Sequence, residues 1–541
     1  VSFTTRKRKS NVMRQGVLGL GILLALPGVA FAEFSIDQVV PAAAQPGGPI
    51  IPVSDFIFEG NTVFPSEVLS QIARLSLFGL TGADTLPPQG TVKQAYFAEL
   101  SNAVSAIEEF YREQGFPLVL VYIPPQQLLE SKVKIIVTEG RYGTVETLNS
   151  EPDWQSSAGA WTARIVPNAI VRQSDLERTA LLMNDLPGAA ATIVVEPGDS
   201  YGTADVIATL DRSTPLAGAV SLSNHGSRFS GELQARANLD LNSFFVLGDK
   251  LSLTGMHTNE DMWQGQFGYS FPIGGDGFRA QIDYSVTQYD LTKAFEGTSG
   301  EATQFSLGVS YPIIRSSNSN LSVLLQYSDK ELYNNLVNGL SVETYGVRTA
   351  PVTVTFDRRD SFLGGAINYG SVTLTYGDLD KDDLVRRGAF SKLNWDIARL
   401  QNLPNGLSLF ARASGQTTNE NLDSSEGFGI SGPASVRAYP SGDAFGDEGW
   451  LTQFELRYTF ENYTPYAFYD HGEINVNAKP EQLALPSLRQ VRSGFGVGMR
   501  FSYEQWTGDL AIAWSADGNS TSSSQTDNRN QRAWLTVSRR F

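Results

Sequence analysis

From about Ala217 onward, apolar and polar residues alternate with a period of two. Leu233, Ala235, Ala237, Leu239 and Leu241 interleave with Gln234, Arg236, Asn238, Asp240 and Asn242. Phe278, Ala280, Ile282, Tyr284 and Val286 repeat the pattern against Arg279, Gln281, Asp283, Ser285 and Thr287. Phe454, Leu456, Tyr458 and Phe460 do so against Glu455, Arg457 and Thr459. Such alternation puts the two sets on opposite faces of a strand. About 16 candidate strands succeed one another, near residues 217, 231, 249, 262, 277, 303, 319, 350, 369, 388, 405, 450, 465, 491, 506 and 532. One soluble sandwich would not use roughly 325 residues of this pattern. A closed membrane barrel turns its apolar faces to lipid and its polar faces to a wet lumen. Closure also satisfies every backbone donor and acceptor without water. The pattern therefore predicts a transmembrane antiparallel β-barrel of about 16 strands over residues 213–541. An even count brings both ends to one side. Odd strands then run outward, and the Gly-rich, acidic loop 417–449, between strands eleven and twelve, belongs to the outer end. Within it, ASVRAYPSGDAFGDEGW (434–450) carries a single arginine, Arg437.

Before residue 213 the period changes. Phe56–Asn61 reads as a short strand and turn, and Ser66–Leu75 as a helix. Phe97, Leu100, Val104, Ile107 and Tyr111 recur at steps of three and four, which lines one face of a helix over Tyr96–Gln114. Val119–Ile123 and Lys132–Thr138 read as strands. This first small α/β unit covers 53–140. A second covers 141–212. It has a strand at Tyr142–Leu148, a helix opened by a capping box at Ser174–Glu177, and strands at Thr192–Glu196 and Asp205–Leu210. Residues 33–52 contain AAAQPGGPIIP and read as a Pro/Gly-rich linker.

The first 32 residues change the compartment. Arg6, Lys7, Arg8, Lys9 and Arg14 precede an apolar run, Gly16–Leu26, too short to span a bilayer. Ala30-Phe31-Ala32 fits a cleavage site, so residues 1–32 are expected to be a signal peptide. Loss of its five positive charges would take the net charge from −16 to −21. Such acidity argues against nucleic acid as a partner. With no cysteine, no thiolate site or disulfide is possible. The chain ends on Ala533–Phe541, a strand with an aromatic last residue, in which Arg539 breaks the apolar alternation.

No motif points to an enzyme, a metal or a cofactor. Gly198-Asp199-Ser200-Tyr201-Gly202 matches a nucleophile elbow, but a strand follows it where a helix is required, so it reads as a hairpin turn. Asp378, Asp380 and Asp382 lack the Gly and the twelfth-position Glu of a calcium loop, and read as a solvated outer loop. A Walker A pattern is absent as well.

The chain resembles the outer-membrane transporters of two-partner secretion, the hemolysin activation/secretion proteins. FEGNTVF, EEFYREQGFPLVLVYIPPQQL and KIIVTEGRYGTVE resemble the family's first POTRA domain. LERTALLMNDLPGAAATIVVEPGDSYGTADV resembles its second, and SLSNHGSRFSGE its first barrel hairpin. Val436-Arg437-Ala438-Tyr439 is similar to the family's VRG(F/Y) loop motif, with Ala438 where Gly is usual. Phe468-Tyr469-Asp470-His471-Gly472 is similar to its F-x-D-x-G strand motif. The resemblance implies a 16-stranded barrel in the cell outer membrane with two periplasmic POTRA domains. These bind a large unfolded exoprotein of β-helical adhesin, cytolysin or haem-binding type, which then threads through the barrel. It also implies insertion by the barrel assembly machinery, and a loop folded into the lumen so that Arg437 pairs with Asp470. Many members have an N-terminal plug helix, for which about 20 Pro/Gly-rich residues leave little room. A barrel assembly insertase and a passive porin are the alternative functions. An arginine fork suits bidentate pairing with a carboxylate, whereas a carboxylate facing lipid would be costly.

Overall fold

The computed structural model describes residues 30–31, 49–80, 85–128, 130–336, 341–380, 388–480, 488–516 and 530–541. The expected signal peptide, apart from Ala30–Phe31, lies outside the described residues. So do residues 33–48 of the expected linker, where a plug helix would sit.

In the first unit, Asp55–Glu59, Lys132–Glu139 and Val119–Tyr122 form a three-stranded sheet in that order, covered by helices Ser66–Phe78 and Phe97–Glu113. Leu100, Ala103, Ile107 and Tyr111 are buried on the second helix, as a 3.6-residue period requires. Phe97 departs from the expected stripe and is 40% exposed, because it opens the helix one turn before the stripe meets the sheet. Ile50–Val53 is not linker. It pairs antiparallel with Lys93–Tyr96, and a two-stranded ribbon tolerates Pro52.

Glu139 ties this unit together. Its carboxylate accepts from the backbone N–H groups of Thr62 (2.8 Å) and Val63 (2.9 Å), the Tyr111 hydroxyl (2.9 Å) and the Thr62 hydroxyl. Burial pushes its pKa up, but these donors outweigh burial and hold it below the ordinary carboxylate value. A depressed folded-state pKa contributes stability that is full above the unfolded value and lost as pH falls through the folded one. Protection of the Thr62 and Val63 amides from hydrogen exchange should therefore be complete at neutral pH and fail in acid. Glu139→Ala should reduce it at neutral pH by about 1–3 kcal/mol, the cost of leaving such donors unsatisfied. Unchanged protection in the variant would refute this role.

In the second unit, strands Ala189–Pro197 and Thr203–Arg212 form a hairpin about the turn 198–202, with Arg141–Asn149 beside them. The expected capping box at Ser174 is not used. The helix runs Gln173–Asn184 with Arg172 as its N-cap and no side-chain cap bond. The N–H of Gln173 donates instead to the carbonyl of Gly115 in the first unit (2.9 Å), so a neighbour supplies the missing acceptor.

Sixteen strands close the barrel: Leu216–Ser223, Gln234–Asn242, Lys250–Thr258, Trp263–Ile273, Phe278–Asp290, Ser299–Arg315, Ser319–Leu336, Ser341–Asp360, Ala366–Leu379, Ala389–Asn402, Leu407–Thr418, Glu448–Tyr458, Tyr463–Asn475, Arg489–Tyr503, Trp506–Ser515 and Gln531–Arg540. They are barrel strands 1 to 16 below. All neighbours are antiparallel, and strand 1 meets strand 16 from Ala219↔Arg540 to Ser223↔Thr536. The apolar faces point outward and remain exposed, as Tyr284, Phe454, Leu456 and Val497 illustrate.

The second unit docks on the turns at one end of the barrel. Leu247, between strands 2 and 3, is buried in that unit's own core. Asp185 accepts two hydrogen bonds from Arg315 (both 2.7 Å), Glu177 accepts from the N–H of Ser317 (2.7 Å), and Arg178 donates to the carbonyl of Pro312 (2.8 Å). The loop between strands 11 and 12 is at the other end. It covers 419–447, two residues shorter at each side than expected, because strands 11 and 12 extend into it.

Candidate functional site

The loop folds back into the lumen, and two clusters of contacts hold it to opposite parts of the wall. At its tip, Ile430, Val436, Ala438, Tyr439 and Ala444 pack against inward side chains of strands 12, 13, 15 and 16. Period-two alternation sets Tyr466, Phe468, Asp470 and Gly472 on the inner face of strand 13. Each of the last three meets the loop differently. Asp470, 0% exposed, accepts from Arg437 at Nε (2.8 Å), Nη2 (2.6 Å) and the backbone N (3.1 Å). The guanidinium carbon of Arg437 lies 3.5 Å from the centroid of the Phe468 ring, a cation–π contact. A Cβ on Gly472 would come within 3.2 Å of the Cβ of Ile430, so glycine keeps the wall flat where the loop lies on it.

Ala438 is accommodated by a second glycine. A Cβ on Gly494 of strand 14 would lie 2.5 Å from that of Ala438, so the absence of a side chain at 494 makes room for the methyl group at 438. Val436 is fully buried, and its N–H donates to the carbonyl of Ile430 (3.0 Å). The Tyr439 hydroxyl pairs with that of Ser515 (2.9 Å).

The two motifs disclose only part of the charge network. Arg437 Nη1 also donates to Glu455 (2.6 Å), which is shared with Arg457 (2.7 Å) and Arg500 (3.0 Å), and Arg500 reaches Asp509 (2.9 Å). Three arginines thus meet three carboxylates. Trp534 of strand 16 donates its indole N–H to the carbonyl of Arg437 (2.7 Å). Sequence reasoning placed Glu455 and Arg457 on a polar face but did not connect them to Arg437. Register was the missing information: Gln453 pairs with Asp470, which sets Glu455 opposite Phe468.

The beginning of the loop has its own anchor, which sequence reasoning missed altogether. Glu426 lies between Lys330 of strand 7 (2.7 Å) and Lys392 of strand 10 (2.8 Å). The Tyr345 hydroxyl donates to Asp423 (3.0 Å), and Leu422 packs with Leu332, Val347, Leu379 and Phe390. The loop therefore crosses the lumen from strands 7–10 to strands 12–16. Of the acidic triplet, Asp378 lies in strand 9, Asp380 accepts from the N–H of Gly346 (2.6 Å), and Asp382 lies outside the described residues.

Comparison with known proteins agrees with this architecture. A family model described as haemolysin secretion/activation protein ShlB/FhaC/HecB matches residues 202–501, and one described as POTRA domain, ShlB-type, matches 84–140. The heme/hemopexin transporter protein HuxB of Haemophilus influenzae strain 86-028NP is 24% identical over 440 residues, 76% of each chain. The outer membrane transporter CdiB of Dickeya dadantii strain 3937 is 23% identical over 441 residues, 77% of each chain. Among solved structures, CdiB from Escherichia coli superposes with a TM-score of 0.71 at 17% identity, covering 93% of both chains. BamA from Haemophilus ducreyi lacking POTRA domains 1–3 gives 0.52 at 14% identity, covering 90% of this chain and all of that one. The barrel lies in the outer membrane, and the end bearing the POTRA fold faces the periplasm. The family model spans more than half of the chain, and the chain belongs to the ShlB/FhaC/HecB family of haemolysin secretion/activation proteins, the outer-membrane transporters of two-partner secretion.

Proposed function

We propose that POTRA domains at 53–140 and 141–212 capture an unfolded exoprotein in the periplasm and feed it into the barrel at 213–541, whose lumen the loop occupies at rest. Arg437 and Asp470 are the latch of that loop. Val436, Ala438, Tyr439, Phe468 and Gly472 shape its seat. The observation that carries this reading is the buried bidentate pair between a loop residue and the inner wall, which ties the tip of the loop to the wall of the lumen. Charges so buried are stable only as partners, so the loop has a defined resting position and a defined cost of leaving it.

Recognition by strand addition suits a client of variable sequence, since main chain pairs with main chain. The strand Val119–Tyr122 pairs with Lys132–Glu139 on one side and exposes Leu120 and Tyr122; on its other side the Val121 N–H donates to Glu108 (3.0 Å), a carboxylate that an added client strand displaces. We assign it as the capture edge. The cargo is a large β-helical exoprotein. Of the adhesin, cytolysin and haem-binding types, the heme/hemopexin transporter relatives support the haem-binding type as the first to test. Insertion of this barrel would fall to the barrel assembly machinery. Deleting the gene should leave the partner exoprotein, encoded nearby, absent from the culture medium by immunoblot. Unimpaired export would sink the proposal.

A further inference from the structure

The outer wall of the barrel carries a trough that export does not explain. Across strands 16, 1, 2, 3 and 4 the pairing runs Arg539–Val220–Ala237–Gly255–Gly265. Val220 is exposed on the lipid side, so the whole row faces lipid, and beyond Val220 it consists of small residues. On one flank stand Leu222 and Trp263, and on the other Leu253 and Phe267, all exposed. The hollow over Ala237, Gly255 and Gly265 has a volume of about 780 Å³ and is walled by Val220, Leu222, Trp263, Trp506 and Val537.

Packing within the chain accounts for glycine at 265, where a Cβ would lie 3.3 Å from the Trp263 ring, but not at 255. A Cβ on Gly255 would meet no atom within 4 Å, and its φ is not positive, so neither close approach nor backbone conformation calls for glycine there. The space is left for something outside the chain.

Register fixes the course of the trough. Arg539 is next to last in strand 16, at the periplasmic rim. Gly265 is third from the outer end of strand 4. Four inter-strand steps cover roughly 19 Å. With strands tilted by about 45°, the row rises roughly 14 Å, about half of a 30 Å hydrocarbon core. At its foot the Arg539 guanidinium stands 5.6 Å over the ring of Trp506, on a strand face that is otherwise apolar. A snorkelling cation beside an interfacial tryptophan sits at headgroup depth.

We propose that this trough binds one phospholipid of the periplasmic leaflet, with its phosphate on Arg539 and one acyl chain along Ala237, Gly255 and Gly265. The lipid, from its phosphate on strand 16 to its acyl chain on strands 2–4, then spans the junction of strands 16 and 1, where the barrel closes on five register pairs. The full-length protein, purified in detergent, is to be incubated with phosphatidylglycerol and weighed by native mass spectrometry. One lipid should be retained per barrel. Arg539→Gln should lower the bound fraction about fivefold, the worth of one interfacial cation. Ala237→Leu combined with Gly255→Leu fills the trough and should lower it about tenfold or more. Equal retention by all three proteins overturns the proposal, and so does retention of lipid A in preference to phosphatidylglycerol, which would put the occupant in the outer leaflet. Arg539→Gln leaves the apolar wall intact and decides the matter by itself if the filled trough prevents formation of a heat-modifiable barrel.

Discussion

Arg437→Ala should leave a heat-modifiable barrel in the outer membrane and cut export of the partner exoprotein. Asp470 has no exposed surface and takes all three of its short hydrogen bonds from Arg437. Removal of the arginine leaves a buried carboxylate without its cation, a loss of about 3–5 kcal/mol for a pair of this kind. That is a shift of roughly two to three and a half orders of magnitude between docked and undocked loop. The damage stays local, because Glu455 retains Arg457 and Arg500. The barrel persists, while an unanchored tip wanders through the space that the client must occupy. Arg437→Lys keeps the charge but loses the fork and the stacking on Phe468, so its export should be intermediate. Amounts of exoprotein in the medium, set against barrel content from heat-modified gels, make the measurement. Wild-type export by Arg437→Ala would remove the latch from the mechanism.

Loss of both lysines at the other anchor should open the lumen. In a Lys330→Ala, Lys392→Ala protein, Glu426 remains buried with neither of its cations, again at about 3–5 kcal/mol. The first part of the loop would leave strands 7–10, and conductance through the purified barrel in planar bilayers should rise above that of the wild type. Glu426→Gln is the control. It removes the charge and keeps one side-chain acceptor, while each lysine retains a backbone carbonyl, Lys392 that of Glu426 (2.9 Å) and Lys330 that of Ser425 (3.3 Å), so its conductance should lie nearer to wild type than that of the double variant. If the double variant conducts like the wild type, the Glu426 cluster does not hold the loop in the lumen.

The sixteen strands were legible because period two is a local signal, repeated over long stretches of chain. Lys93–Tyr96 and Ile50–Val53 were not, since four residues are too few to establish a period and Pro52 argued for linker. At Ser174 a sound local rule was overridden by the carbonyl of Gly115, which caps the helix at Gln173, 58 positions further on, instead. The candidate site divides in the same way. Arg437 and Asp470 sit in short motifs and could be named together. Glu455 became a partner only through the register of strands 12 and 13, and Trp534 only through closure of the barrel. Lys330, Lys392 and Glu426 are ordinary charges in sequence, and only the path of the loop across the lumen unites them.

The contact between Ala438 and Gly494 makes loop and wall a matched set. One methyl group of volume is available there, held by the loop at 438 and absent from the wall at 494. Ala438→Gly alone leaves a void, Gly494→Ala alone overfills the contact, and the two together hand the methyl group from one side to the other. A loop grafted from a relative with glycine in that position would therefore arrive one carbon short for this barrel. The part that transplants intact is the loop together with strand 14.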